Sequence, residues 1–313
     1  MEERILRYYL GLFSLIVFCY FFYFLTIKIF FKDELIINIE KGESISQISS
    51  NFNINLNFFE KKFIKYIFII INYHKPINYG KFNIKRNINL LNILKIITTK
   101  SNLDYKITVI EGWEEYQLSN YLSIFFNDKL IIPYENLLAD TYIINSSNTL
   151  KDFNEYLIIQ KNNFFAKYKE NALYKEFGEK NILIISSIVE REAKNFDDKA
   201  LIASVILNRL RLKMKLQIDA TVIYSLTEGK RKFDNILSYE DLKFLHPYNT
   251  YNIKGLPPGM ISYTGPETVK LVLKNHKSHF LFYFYNIIEK KHIFSRNYQE
   301  HKSRLNEYRK KIK

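Results

Sequence analysis

From Tyr8 to Ile27 the chain reads YYLGLFSLIVFCYFFYFLTI, without a charged residue and without a polar stripe on any face of a helix. At about 1.5 Å of rise per residue this run is long enough to cross a ~30 Å hydrocarbon core, which predicts one N-terminal transmembrane helix over residues 8–27. A core helix of a water-soluble domain would show a polar face over such a length. The segment that follows, Lys28-Ile29-Phe30-Phe31-Lys32, lacks the small residues of a cleavage site, so the helix stays attached. Cys19 lies behind a bulky Phe18 with apolar residues continuing beyond it, which argues against lipidation. Arg4 and Arg7 on one side nearly balance Lys28 and Lys32 on the other, so charge sets orientation only weakly.

Beyond the anchor the pattern repeats. Ile37 and Ile39 alternate before Gly42 and a Gln47-Ile48-Ser49 segment that leads to Phe52, and 70 positions later Ile107, Val109, Gly112, Gln117-Leu118-Ser119 and Leu122 follow with identical gaps. Period-two apolar residues, a glycine and then an amphipathic start predict a strand, a turn and a helix in each copy. A lone strand and helix cannot bury their apolar faces unaided, so the copies are expected in a small α/β module over residues 35–125, joined through a loop at Lys75–Phe82. Such a module either binds a ligand or spaces the following domain, 126–313, from the membrane.

In that domain an apolar helix, Asn181-Ile-Leu-Ile-Ile-Ser-Ser-Ile-Val, runs into Glu190-Arg191-Glu192-Ala193. On a helical wheel Glu190 shares a face with Ser186, Ser187 and Ala193, and Glu192 falls with Ile185, Ile188 and Val189. A carboxyl at the end of an apolar helix is a candidate general acid, because loss of water disfavours its charged form; an ordinary ion pair with Arg191 is the competing reading. Polar residues then cluster where a core would be apolar: Asn208 and Arg209 close one helix, and Gln217, Asp219 and Thr221 alternate before another that Asp219 can N-cap. Tyr248-Asn249-Thr250-Tyr251 opens a loop stiffened by Gly255, Pro257, Pro258 and Gly259. Aromatic faces pack on sugar rings and amides bond hydroxyls, although a structural turn uses the same residues. A Leu281–Ile287 and His292–Phe294 hairpin and a basic helix complete an expected α+β architecture.

Composition narrows partners only slightly. With 47% hydrophobic residues the chain has ample core material. Its 46 Lys and Arg against 32 Asp and Glu give a net charge of +14, but the basic residues are scattered, and abundant Lys, Ile, Asn, Phe and Tyr fit a drift of composition. Without an aromatic RNP-like pattern or a basic helix suited to a groove, no nucleic-acid partner is expected. One cysteine excludes an intrachain disulfide. His276 and His279 have neither zinc-ligand spacing nor a Cys partner, so no metal and no cofactor is expected.

The segments SIVEREA, ASVILNRL, LQIDATVIY, YNTYNIKGLPPGMI and FSRNYQEH, together with Gly112 and Asp140-Thr141-Tyr142, resemble in order and spacing the endolytic murein transglycosylases of the MltG, or YceG-like, family. The resemblance is densest over residues 180–300. Departures are Ala139 before Asp140, Arg191 and Ala193 around the glutamate, and Ile218-Asp219-Ala220 for a usual Thr-Asp-Pro, which puts local geometry at Ala220 in doubt. The resemblance, and not helical geometry, selects Glu190 over Glu192 as the catalytic acid, and implies substrate contacts at Asn208, Arg209, Gln217, Asp219, Thr221, Tyr248, Asn249 and Thr250. It also implies a LysM-like module, a cytoplasmic tail at residues 1–7, and a large domain outside the cytoplasmic membrane. The implied reaction is cleavage of MurNAc–GlcNAc bonds within nascent peptidoglycan strands to leave an anhydro-muramyl end, beside peptidoglycan synthases. Two alternatives stay open: a hydrolytic muramidase, if Glu192 or Asp219 positions a water, and an inactive glycan-binding scaffold.

Overall fold

The computed structural model describes residues 2–31, 33–52, 56–126 and 130–312. Lys32, expected to flank the anchor, lies outside them. The chain forms two compact units: the first comprises residues 1–106 with 143–149, the second 107–142 with 150–313. The architecture is α+β, and its described strands pair two by two.

The first unit begins with α1 (Glu2–Thr26), then β1 (Ile29–Phe31), β2 (Leu35–Ile39), α2 (Ile45–Ser50), α3 (Phe58–His74), β3 (Gly80–Ile84), β4 (Ile88–Asn89) and α4 (Leu90–Ile97). Residues 4–26 form a helix long and apolar enough to cross a membrane, and almost all of it is free of protein contact. The exception is its last two turns, where Tyr20 and Phe21 touch α3 and Phe24 is fully buried in the core of this unit with Phe31, Phe52, Phe68 and Phe82. β2 and β3 pair antiparallel with Ile37 opposite Phe82 and Ile39 opposite Gly80, so alternate residues enter that core.

The chain passes to the second unit along β5 (Asp104–Thr108), continues through α5 (Glu115–Leu122), and returns along β6 (Thr141–Asn145). The first repeated stretch therefore lies in the first unit and residues 107–122 of the second stretch lie in the second unit. Both take the expected strand, turn and helix: Gly42 and Gly112 sit at φ 87° and 79°, a region open to glycine at little cost. The shared glutamines close both helix starts, Gln47 Oε1 accepting from Ser44 N and Gln117 Oε1 from Glu114 N, each at 3.0 Å.

The second unit adds α6 (Leu150–Ala166), α7 (Ala172–Glu192), α8 (Phe196–Arg211), α9 (Asp219–Thr227), α10 (Pro266–Leu273), the hairpin β7 (Phe282–Asn286) and β8 (Lys291–Ser295), and α11 (Tyr298–Lys311). α7 breaks at Gly178, and its second segment is the centre of this unit, with every residue from Ile182 to Val189 buried. α8, α9 and α10 pack around it. The expected C-terminal hairpin forms with Phe282 opposite Ser295, and α11 caps it through Phe282–Tyr298 and Phe284–Tyr308 ring contacts.

Candidate active site

Because the second segment of α7 is buried on all sides, its helical faces do not distinguish Glu190 from Glu192; their neighbours do. Glu190 ends the buried segment with a side chain 3% exposed, and its Oε1 lies 2.5 Å from Nζ of Lys199 on α8. Its Oε2 accepts from Thr264 Oγ1 at 3.3 Å. Lys199, itself 9% exposed, also donates to Thr268 Oγ1 at 2.8 Å and reaches Glu111 Oε2 at 3.2 Å. One buried ammonium thus faces two carboxyl groups. Burial, and next to it the Glu190 carboxyl, hold the proton affinity of Glu111 above the usual carboxylate range against the pull of Lys199.

The backbone around this cluster is locked. Arg191 donates to Gly112 O at 3.2 Å and pairs with Glu114 at 3.2 Å, clamping the second repeated turn against the end of α7. The extended segment after the glycine-proline loop runs beside it: Gly112 N donates to Tyr263 O, Tyr263 N to Trp113 O and Ala139 N to Thr264 O, each at 2.8 Å. Ile261 N and Ser262 Oγ tie the same segment to Ser187 of α7 at 3.1 Å. Gly265 completes the fit, since a Cβ there would stand 1.8 Å from Glu111 Oε1. That glycine reserves the room in which Glu111 turns toward Lys199.

Glu190 borders two cavities, of about 700 and 590 Å³. The larger brings Glu190 together with Arg209, Gln217 and Asp219 and adds Glu192, Tyr251 and Tyr283. Glu192 accepts from Tyr283 Oη at 3.0 Å, and burial raises its proton affinity. Asp219 does not cap α9: the N-cap is Ile218, and the Asp219 carboxylate instead accepts from Tyr251 Oη at 2.7 Å. Asp219 and Tyr251 thus line the cavity as a bonded pair. Gln217 is held at φ 49° by its N–H to Thr250 O. Arg209 donates to Leu281 O and Leu216 O, each at 2.6 Å, and joins the hairpin to the 214–218 loop.

The remaining residues singled out from sequence stand elsewhere. Asn208 donates to Ser278 O and Phe280 O, at 2.9 and 3.0 Å. Thr221 and Thr250 are fully buried and bond each other at 2.8 Å, and fully buried Asn249 holds the Leu242 and Phe244 carbonyls. Tyr248 packs on Tyr224 in a third cavity of about 680 Å³. Conversely, Glu111, Lys199, Thr264 and Thr268 were not singled out from sequence. The available signal was the repeat itself, which has Glu111 where the first copy has Lys41. Among the described residues no cluster of three or more His, Cys, Asp or Glu could hold a metal.

The endolytic murein transglycosylase of Bacillus subtilis is 35% identical over 185 residues, 58% of this chain and 50% of that protein. The endolytic murein transglycosylase of Streptococcus pneumoniae serotype 2 is 27% identical over 176 residues, 55% of this chain and 31% of that protein. The chain thus spans half or less of the length of these relatives. A crystal structure of a yceG-like protein from Listeria monocytogenes superposes with a TM-score of 0.55 at 25% identity, covering 87% of this chain and 99% of that one. The model of the YceG-like family matches residues 37–307, and on that extent the chain belongs to the YceG-like family.

Proposed function

We propose that this chain is a membrane-anchored endolytic murein transglycosylase that cuts MurNAc–GlcNAc bonds within peptidoglycan glycan strands, with Glu190 as its acid and base. The observation that carries the reading is the placement of Glu190: nearly buried, bonded to Lys199 and Thr264, and on the wall of two cavities between which a strand can lie. Family membership and the names of the relatives point the same way.

In the cutting step Glu190 gives its proton to the glycosidic oxygen, the bond from that oxygen to the MurNAc anomeric carbon breaks, and GlcNAc leaves as an alcohol. The positive charge developing at the anomeric carbon is met by the carboxylate left on Glu190. The C6 hydroxyl of the same MurNAc then attacks that carbon, its proton returns to Glu190, and an anhydro-muramyl end forms without water. Burial and the neighbouring Glu190 carboxyl raise the proton affinity of Glu111, so that Glu190 and Glu111 beside Lys199 keep one proton available in the cluster. Gln217, Asp219 and Arg209 supply polar groups to the larger cavity for the strand. α1 fixes the chain in the cytoplasmic membrane with residues 1–7 inside and the YceG-like portion outside, where peptidoglycan synthases deliver nascent strands; the LysM-like module at residues 35–125 meets the glycan.

The test is digestion of uncrosslinked glycan strands by the purified chain and by Glu190→Gln, with mass spectrometry of the products. Internal fragments with anhydro-muramyl ends from the parent alone support the reading. Reducing ends make the protein a muramidase, and binding without cleavage by the folded parent makes it a scaffold.

A further inference from the structure

We infer that α3 is a second membrane contact of this chain, lying in the lipid headgroup region beside the exit point of α1. The inference rests on the reading of α1 as a membrane anchor. Phe59, Phe63, Tyr66, Ile70 and Tyr73 follow one another at spacings of 4, 3, 4 and 3 residues and so form one stripe along α3. The opposite face is spent in the core of the first unit through Ile64, Ile67 and Phe68. Of the stripe only Phe63 packs against that core; Phe59 is 80%, Tyr66 63%, Ile70 58% and Tyr73 85% exposed. An exposed run of this kind marks a surface that meets an apolar partner.

The occupant follows from where the stripe begins. Phe63 packs edge-on against Phe21 and Phe24 of α1, with ring centroids 4.7 and 5.2 Å apart, and Glu60 bonds Tyr20 and pairs with Lys28 at 2.5 Å. These contacts lie in one turn of α3, which meets α1 there. At that level α1 changes surroundings: its residues from Arg4 to Tyr23 are exposed, and Phe24 is buried in protein. The apolar helix therefore leaves the bilayer within a turn of its contact with α3, and the stripe begins beside the surface of α1 that meets lipid. Aromatic side chains favour that interfacial depth. Lys62 and Lys65, on one flank of the stripe, are long enough to reach anionic headgroups, as on other helices that lie in an interface.

The test uses the full chain in a Cys19→Ser background, reconstituted in vesicles of phosphatidylcholine and phosphatidylglycerol, with a fluorophore attached in turn through Phe59→Cys, Tyr66→Cys and Tyr73→Cys. Lipids carrying a nitroxide near the headgroup or deep in the acyl chain serve as quenchers. Phe13→Cys on α1 and Leu245→Cys, at an exposed position of the second unit, are the references. Headgroup-level quenching at all three α3 positions, at least about twofold above that at Leu245, is the expected result for an interfacial helix. Quenching at Phe13 with none on α3 overturns the inference and leaves the anchor standing. α3 labels shielded from both lipid and aqueous quenchers point to a protein on the stripe and also overturn it. No quenching at Phe13 removes the anchor reading itself.

Discussion

The turn at Gly42 and the turn at Gly112 are built alike, from a strand before, a glycine at positive φ and a helix whose first N–H is closed by a glutamine. Their surroundings differ. A Cβ at Gly42 would meet nothing within 4 Å, whereas one at Gly112 would stand 3.9 Å from Glu190 Cγ. Lys41 precedes the first glycine, and Glu111, sharing Lys199 with Glu190, precedes the second. Ser44 caps the first helix, while the residue at the matching position, Glu114, pairs with Arg191 and helps fix its turn on α7. Local pattern thus sets local structure in both copies, and chemistry enters only where tertiary neighbours add charge to the turn.

The sharpest way to separate the copies is to remove the carboxyl that the second turn approaches. Glu190→Gln is expected to lower strand cleavage by about 10²–10⁴-fold, the usual contribution of a positioned acid or base, while Lys199 keeps Glu111 as a charged partner. Next comes the shared cation. Lys199→Ala strands Glu190 and is expected to cost about 3 kcal/mol of stability, because breaking a buried pair leaves an uncompensated charge. Lys28→Ala at the equally short but more exposed Lys28–Glu60 pair of the first unit is expected to cost about 1 kcal/mol or less. Equal losses in denaturant titrations would remove the distinction between the two units.

Glu111→Gln probes the charge difference directly. The parent holds Glu111 at a raised proton affinity, so activity that needs a proton in the pair falls as pH rises through that value. Gln cannot take up that proton, so the alkaline limb of kcat/KM is expected to move to lower pH. Lys41→Gln is expected to leave the profile in place, and a lower rate with an unmoved limb in Glu111→Gln would reduce Glu111 to a structural role. The smallest effect is at the glycines: Gly42→Ala and Gly112→Ala are each expected to cost about 1 kcal/mol for a side chain at positive φ, but only the second to lower kcat.

How far the sequence reached follows the same line. α1, both strand-turn-helix copies, the C-terminal hairpin and the α+β class were readable because each is a local pattern of apolar spacing, turn glycines and caps. Glu190 was chosen over Glu192 only through a resemblance, since the second segment of α7 is buried all round and its wheel offers no choice between them. Its partners were not readable. Lys199 follows by nine positions but on a separate helix, Thr264 and Thr268 lie over seventy positions away, and Glu111 arrives from the other direction through the second turn. Asn208, Thr221, Asn249 and Thr250 show the converse: polar residues in a core-like pattern are used to hold backbone carbonyls and one another.

The central claim is that the attacking group in the cut is the sugar's own C6 hydroxyl, with Glu190 moving the protons. Digestion of glycan strands by the full chain in water enriched in oxygen-18 tests it most directly. The account expects anhydro-muramyl ends with no heavy oxygen incorporated, from the parent and not from Glu190→Gln. Reducing ends that carry oxygen-18 would show that water attacks, and would contradict it.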